Sequence, residues 1–232
     1  MALCIRPDMF GHSKSDIVEF IGFHQVVGVT DFIAYDIGIQ DGILTKLKML
    51  EGLPSFVRSF SVLAWNFPFE DSALSVKALE LDCILRTSGR VRVMGIVSWD
   101  HYIVPNRKVT ILSSLANFGR KKTVLLNLLV QICCLNMKDD KHSEKTWPLV
   151  LRKTRCTSVS KEGTLVVNPR LREGGQRTIR PLSNVMSWYH ECNESQKAMS
   201  SYDVRPSRFL DSIISNELLK LWKSGILFGD TV

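Results

Sequence analysis

An acidic residue and a histidine stand side by side where an apolar stretch of the chain ends. The stretch VRVMGIVSWDHYIVP, residues 91–105, passes from apolar residues 93–97 into Asp100 and His101 and then turns apolar again. A carboxylate and an imidazole can bind a divalent cation such as manganese. Such a cation could neutralise the two phosphates of a nucleotide-sugar and help the leaving group depart. The alternative is a polar strand end at the surface, so the elements around the pair decide between the two interpretations.

Apolar segments alternate with amphipathic ones up to this point. We predict strands over residues 2–7, 30–38, 56–65 and 90–99. Helices are predicted over 13–28, 41–52 and 70–86, the first with a capping box formed by Asp16 and Glu19. The third helix has an apolar stripe made of Leu74, Ala78, Leu81 and Leu85. This alternation predicts an α/β fold with a mainly parallel sheet and right-handed crossovers.

In such sheets ligands bind beyond the carboxyl ends of the strands. Three of the predicted strand ends carry charged side chains, namely Arg6, Asp36 and Asp100. We therefore expect these three residues to face the same ligand.

The second half of the chain is less regular. We predict a helix over 108–119, a strand over 163–171, a loop over 172–184, a short strand-like run within 186–192 and a closing amphipathic helix over 207–225. The apolar segment 123–136 fits either a helix or a strand. We expect one domain over residues 1–232. Its predicted parts are a nucleotide-sugar-binding half (1–105), an acceptor-side half (106–206) and the closing helix (207–225).

Composition is that of a globular protein, with 45% hydrophobic and 23% charged residues. The net charge of +7 is concentrated late in the chain, because residues 137–232 hold 16 basic and 11 acidic residues. That excess suits an anionic ligand or a solvated basic face, whereas a nucleic-acid binder would need motifs that the sequence lacks. No apolar run reaches the roughly 20 residues that cross a bilayer.

Other chemistries find little support. The patterns GxSxG, GxGxxG and GxxxxGK are absent, and the six cysteines show no zinc spacing. Reduced and disulfide-bonded cysteines both remain open. Among the histidines, His24 suits a packing or a surface role better than that of a ligand, and His12 lies near the expected ligand edge. His190 could reach the same metal as Asp100 if its strand enters the sheet.

Several stretches, in order, resemble glycosyltransferase family 92. They are CIRPDMFGH (4–12), IVEFIGFHQVVGVTDFIAYDIG (17–38), ALELDCILR (78–86), GIVSWDHYIVP (95–105) and LVVNPR (165–170). The family pattern has C-x-[KR]-P, a D-C-x-x-R helix, an acidic D-x-D-E segment, a V-x-P strand and a closing H-Y-R. The resemblance covers about residues 4–192.

The resemblance implies the GT-A fold, a Rossmann-like α/β sandwich that binds nucleotide-sugars. It also implies inverting, manganese-dependent transfer of galactose from UDP-galactose to fucose on glycan cores. The partners would be a nucleotide-sugar donor and a glycan or glycoprotein acceptor, and no nucleic acid. Family members are usually Golgi membrane proteins, so we expect membrane association only through an anchor absent from this chain.

Carried over by position, the resemblance assigns two groups of residues. Asp100 matches the second acid of D-x-D, with His101 and His190 as further metal-ligand candidates. The residues matched to the nucleotide-sugar region are Arg6, Asp36, Asp82, Cys83 and Arg86. A loop over 170–180 could close over the diphosphate. The base that activates the acceptor should be a carboxylate, and Glu173 and Glu191 are the nearest acids.

Two positions of the acidic segment depart from the family pattern, and the closing H-Y-R is also disturbed, since the order here is Tyr189-His190-Glu191. Ser98 stands at the first acid of D-x-D, and His101 stands at the following glutamate. A site with fewer acidic side chains should bind a divalent cation more weakly. The alternative function is therefore a catalytically impaired relative that binds glycan or a protein partner.

Overall fold

The first half of the molecule alternates strands and helices as the sequence predicts. The structure, a computed structural model, describes residues 1–7, 12–38, 41–53, 56–67, 72–105, 110–114, 123–157, 163–169, 175–179 and 183–227. Its first seven elements are β1 (Ala2–Ile5), α1 (Lys14–Val26), β2 (Asp31–Asp36), α2 (Asp41–Met49), β3 (Ser59–Ala64), α3 (Ser72–Thr87) and β4 (Met94–Val97). The first helix begins with a capping box between Ser13 and Asp16, not between Asp16 and Glu19.

These strands form the parallel part of the central sheet. β1 lies between β4 and β2, and β3 follows β2, all in parallel register. Ile5 pairs with both Ala34 and Val97, so the three strands end at nearly the same height. The predicted α/β class with a GT-A-like sheet flanked by helices is confirmed.

The second half extends the same sheet with mixed strand directions. Its strands are β5 (His101–Pro105), β6 (Thr123–Cys134), β7 (Arg155–Cys156), β8 (Gly163–Val167), β9 (Gly175–Ile179), β10 (Ser183–His190) and β11 (Ser201–Tyr202). β8 runs antiparallel to both β4 and β6, and β10 runs parallel to β6 and antiparallel to β5. The path through the sheet is β11-β7-β6-β8-β4-β1-β2-β3.

The helices of this half are short. They are α4 (Ile111–Ser114), α5 (Leu149–Arg152), α6 (Glu194–Ala198), a 3-10 turn (Pro206–Phe209), α7 (Leu210–Ile214) and α8 (Glu217–Lys223). The predicted closing helix is thus three pieces. Asn216 explains the break between α7 and α8, because its side chain accepts the Leu219 N–H and begins a new helix.

Two other predictions for this half need correction. The segment 172–184 is not a loop throughout, because residues 175–179 form β9 beside β6. Of the helix predicted over 108–119, the described residues contain only α4. The ambiguous segment 123–136 is a strand, β6, which borders β8 and β9 first and β10 and β7 later.

The sheet separates two apolar layers. Leu3 and Ile5 point into the larger core with α1, whereas Ala2 and Cys4 point into a smaller core under α3. The predicted leucine stripe of α3 does not face this smaller core. The helix instead buries Leu79, Cys83 and Thr87, and Leu74, Leu81 and Leu85 are exposed.

All six cysteines are paired. Cys4–Cys83 joins β1 to α3, Cys133–Cys156 joins β6 to β7, and Cys134–Cys192 joins β6 to the segment after β10. Disulfides persist in oxidising compartments, so the structure favours the oxidised interpretation of the cysteines.

Candidate active site

The carboxyl edge of the parallel strands brings three predicted residues to one side of the molecule. Arg6 directly follows β1, Asp36 closes β2, and Asp100 stands in the turn after β4. The Arg6 N–H donates to the Val97 carbonyl at 2.8 Å, which continues the β1–β4 ladder past the last paired residue. β1 is the middle strand of the three, so Arg6 lies between the other two strand ends.

Asp100 and His101 occupy a tight turn between β4 and β5. The His101 N–H donates to the Ser98 carbonyl at 3.0 Å and closes this turn. His101 Nε2 lies 3.8 Å from Asp100 Oδ2, and His101 Nδ1 lies 3.3 Å from the Thr164 hydroxyl of β8. The side chains of Asp100 and His101 are 13% and 24% exposed. The imidazole is thus held between a carboxylate and a hydroxyl.

This geometry provides two of the ligands that a divalent cation would need. A separation of 3.8 Å is too long for a hydrogen bond but allows both side chains to bind one ion. Donation from Nδ1 to Thr164 would leave the Nε2 lone pair directed at Asp100, which is the usual arrangement for a metal-binding histidine. Among the described residues there is no group of three potential ligands.

The third predicted ligand, His190, lies at the same end of the sheet in the backbone register. Ser187 pairs with His101, and His190 follows three residues later as the last residue of β10. The side chain of His190 lies outside the described part of the structure.

Arg6 contributes a partly buried positive charge. Its side chain is 32% exposed and contacts Glu80 of α3 at 3.4 Å. Among the described residues, its buried Nε has no hydrogen-bond partner. Burial lowers the pKa of Arg6 and the charge of Glu80 raises it, but an arginine remains charged at neutral pH. A guanidinium held this loosely can bind an anionic group such as a phosphate.

Asp36 approaches the same edge from the other face of the sheet. It is only 6% exposed, and its backbone carbonyl accepts the Trp65 N–H at 2.7 Å. Asp36 shares its strand face with Phe32 and Ala34 in the larger core, whereas Arg6 shares its face with Cys4. The two charged residues therefore flank the carboxyl edge from opposite sides.

The sequence that forms this edge matches a known protein family. The model of Glycosyltransferase family 92 matches residues 1–210, which is most of the chain. The chain belongs to glycosyltransferase family 92. No curated protein sequence matches it. The crystal structure of HddC from Yersinia pseudotuberculosis is 12% identical, with a TM-score of 0.43, over 80% of this chain and 92% of that chain.

Membership of family 92 indicates a glycosyltransferase in general, a class of enzyme that uses a nucleotide-sugar donor and a glycan acceptor. The degenerate acidic motif lies at the site described above. Ser98, at the first acid of D-x-D, uses its carbonyl to close the turn that carries Asp100. None of the described helices is long and apolar enough to cross a membrane.

The D-C-x-x-R residues of the family pattern form a separate cluster on α3. The Tyr35 hydroxyl donates to Asp82 Oδ2 at 2.6 Å, and Arg86 Nε donates to the same oxygen at 2.7 Å. Arg86 lies beside Asp31 and Ser59, at the amino ends of β2 and β3. The structure therefore does not bring Arg86 to the carboxyl edge with Arg6, Asp36 and Asp100.

Hydrogen bonds keep Asp82 ionised and Tyr35 neutral in this cluster. Burial acts to raise the pKa of Asp82, but the bonds from Arg86 and Tyr35 outweigh it and leave the pKa lowered. Burial raises the pKa of Tyr35, and Asp82 raises it further. Cys83 joins this part of α3 to β1 through its disulfide.

The structure adds residues that sequence reasoning missed or left open. Thr164, which contacts His101, comes from a strand 63 residues later and has no signature in the sequence. His12 is buried near the edge, with its ring 6.4 Å from the Trp99 ring. Of the two roles open to His24, the structure shows packing, because the residue is buried, its Nδ1 donates to the Phe20 carbonyl at 2.8 Å and its Nε2 accepts the Ile103 N–H at 3.3 Å. The first bond lies within α1, and the second joins α1 to β5, the strand that begins with His101.

The other predicted parts of the site lie apart or outside the described residues. Arg170, Arg172, Glu173 and Arg180 of the expected diphosphate loop are outside the described part. Arg177 belongs to β9, where its backbone pairs with Leu126. Glu191 is exposed directly after β10.

Proposed function

We propose that this protein transfers a hexose, galactose from UDP-galactose, to a glycan acceptor by a metal-assisted inverting mechanism. The observation that carries the proposal is the Asp100–His101 pair, held 3.8 Å apart at the carboxyl edge of a family 92 sheet. A carboxylate and an imidazole with a hydroxyl behind it form a donor set that manganese accepts.

Each residue at the edge has a proposed task. Asp100 and His101 would hold the cation, with His190 as the third candidate ligand. Bound there, manganese would supply positive charge to the departing nucleoside diphosphate. Arg6 would bind a phosphate oxygen, because its guanidinium is partly buried and only loosely paired with Glu80. Asp36 would accept hydrogen bonds from hydroxyl groups of the donor.

Asp82 and Arg86 would act from below the site. The bond from Tyr35 to Asp82 fixes α3 against β2, Arg86 holds Asp82 in place within the helix, and the Cys4–Cys83 disulfide fixes α3 against β1. Both strands lead directly into the edge, at Asp36 and Arg6. This cluster would therefore position the donor site without contacting the diphosphate.

The proposed location is the Golgi lumen. Family membership suggests the secretory pathway, and three disulfides suit its oxidising lumen.

A second candidate function rests on Ser98. With serine at the first acid of the motif and histidine after Asp100, the site carries less negative charge than the family pattern. A weaker cation site favours a relative that keeps the fold and binds glycan or a protein partner without transfer.

The deciding experiment is thermal unfolding with UDP, with and without manganese. A ligand that binds only the folded state stabilises it by about 2.7 kcal/mol at a hundredfold excess over its dissociation constant. We expect UDP with manganese to raise the midpoint for the wild type and for the control Asp211→Asn, which changes an exposed acid of α7. Asp100→Asn should remove the rise. A folded wild type that shows no shift, but binds glycan without metal, would establish the second function.

A further inference from the structure

α3 carries a continuous apolar seam on the side that faces away from its own sheet. Leu74, Leu81 and Leu85 are 46%, 58% and 67% exposed, and Ala78 lies in line with them. Single exposed leucines are common on protein surfaces, but a line of them along one helix marks a contact surface. The helix already has its intramolecular contact on the opposite side, through Leu79, Cys83 and Thr87.

The spacing of the seam is that of a coiled coil. Its residues are four, three and four positions apart, which corresponds to heptad positions d, a, d and a. The sheet-facing residues Leu79 and Cys83 then fall at positions b and f, on the far side of the helix. A narrow seam confined to a and d is the pattern of a helix that pairs with one other helix.

Opposite charges flank the seam at the two positions that face a partner helix. Lys77 falls at position g and Asp82 at position e of the following heptad. In a parallel pair of helices, a g residue approaches the e residue five positions later on the partner. Lys77 of each copy would therefore meet Asp82 of the other. The side chain of Asp82 is 33% exposed, and its bonds to Tyr35 and Arg86 both use Oδ2.

We propose that a second copy of this chain binds this seam, with the two α3 helices parallel around a two-fold axis along the helices. The charge pattern selects this occupant, because the seam and its flanks complement themselves. The interface is isologous, so one copy of the pattern generates two identical ion pairs. In an antiparallel pair, g positions would instead face g positions and e positions would face e positions, so Lys77 would lie on the same side as Lys77 of the other copy.

The seam is preorganised for association. The Cys4–Cys83 disulfide and the Asp82–Tyr35 bond hold α3 on the sheet, so little backbone freedom is lost on binding.

The proposed interface is small. A helix of 16 residues is about 24 Å long, which gives less contact than a standard interface. We therefore expect a reversible dimer with a dissociation constant on the order of micromolar.

Sedimentation equilibrium over a range of protein concentrations tests the dimer. We expect Leu81→Glu to raise the dissociation constant by at least about tenfold, because it places a charge at the centre of an apolar seam. Leu53→Glu is the matched control, since Leu53 is 46% exposed but lies outside α3. Both variants should fold, which circular dichroism checks. A monomeric wild type at every concentration, or a dimer that Leu81→Glu leaves intact, overturns the proposal.

Two further variants test the parallel orientation. Lys77→Glu should weaken the dimer, because the new glutamate of each copy would then face Asp82 of the other copy. Leu85→Cys should give a disulfide-linked dimer under mild oxidation, because position 85 meets its own copy only in a parallel pair. Unchanged affinity for Lys77→Glu, or an uncrosslinked dimer of Leu85→Cys, contradicts the parallel arrangement.

Discussion

Two clusters in this protein have the same kinds of group but different geometry. On α3, Asp82 accepts bonds of 2.6 Å from Tyr35 and 2.7 Å from Arg86. After β4, Asp100 lies 3.8 Å from His101, whose other ring nitrogen lies 3.3 Å from Thr164. Two short bonds engage Oδ2 of the first carboxylate in a structural network, whereas the second pair is spaced for an ion between its members. Charged residues matched to one family pattern can thus have a structural or a ligand-binding role.

The largest expected effect comes from removing the charge of each carboxylate in turn. Asp100→Asn should lower transfer activity by about a hundredfold or more, because it weakens the cation site at the leaving group. Asp82→Asn should lower the free energy of unfolding by about 1–3 kcal/mol, because it weakens a charged network. Donor affinity measured by calorimetry and denaturation in urea separate the two outcomes. Loss of UDP binding in Asp82→Asn, with its fold intact, would remove the distinction between the clusters.

The next effect concerns the support of β5. His24→Leu should cost about 2–4 kcal/mol of unfolding free energy, because it leaves the buried Ile103 N–H and Phe20 carbonyl without their side-chain partner. Since β5 begins at His101, donor affinity should fall together with stability. Urea denaturation and UDP titration at the same temperature measure both. Normal donor affinity in a destabilised His24→Leu protein would show that β5 does not need this support.

The pH dependence of stability checks the state of His24. Burial lowers the pKa of His24 to about 3. The hydrogen bond to the Phe20 carbonyl acts in the opposite direction but is the smaller effect. In the unfolded chain a histidine titrates near 6.5. The contribution of His24 is therefore fully present above about pH 6.5 and is lost as the pH falls toward 3. His24→Leu should remove this loss and so flatten the acid unfolding curve between about pH 3 and 4.5.

A smaller effect comes from the hydroxyl behind each cluster. Thr164→Val keeps the shape of a residue that is 2% exposed and removes the contact to His101 Nδ1. Loss of such a partner lowers metal affinity by about tenfold or more, so the manganese-dependent affinity for UDP should fall. Thr87→Val on α3 is the control, because it removes a buried hydroxyl bonded to the Cys83 carbonyl. Equal UDP affinity in the two variants would show that Thr164 does not orient His101 for the cation.

The sequence predicted these two regions unequally. The alternation of strands and helices indicated β1 to β4, and strand ends then indicated Arg6, Asp36 and Asp100. Thr164 could not be found, because β8 joins β4 through a long-range antiparallel pairing that has no local pattern. The leucines of α3 suggested a buried face, but the side that meets the sheet is the one that carries Cys83, which is bonded to Cys4 of β1.

The smallest predicted effect concerns a carboxyl that joins α1 to the second half of the chain. Glu19 accepts the Leu149 N–H at 2.7 Å and a bond from the Ser15 hydroxyl, with Asp16 and Arg152 nearby. Burial raises the pKa of Glu19 to about 7. The contribution of a carboxyl whose pKa is raised on folding is present at acid pH and is lost as the pH rises through the folded value.

Glu19→Gln should therefore stabilise the protein at pH 8, by about 1–2 kcal/mol, and have little effect near pH 5. Glutamine can still accept the Leu149 N–H, and its amide can donate to Ser15. Urea denaturation of both proteins at several pH values measures the difference. The Glu19 effect opposes that of His24 between about pH 4.5 and 6.5, so the wild type should show a shallow pH profile there that either variant makes steeper. A Glu19→Gln protein that is less stable at pH 8 would mean that the carboxylate, once ionised, is held by the Leu149 N–H more strongly than burial disfavours it.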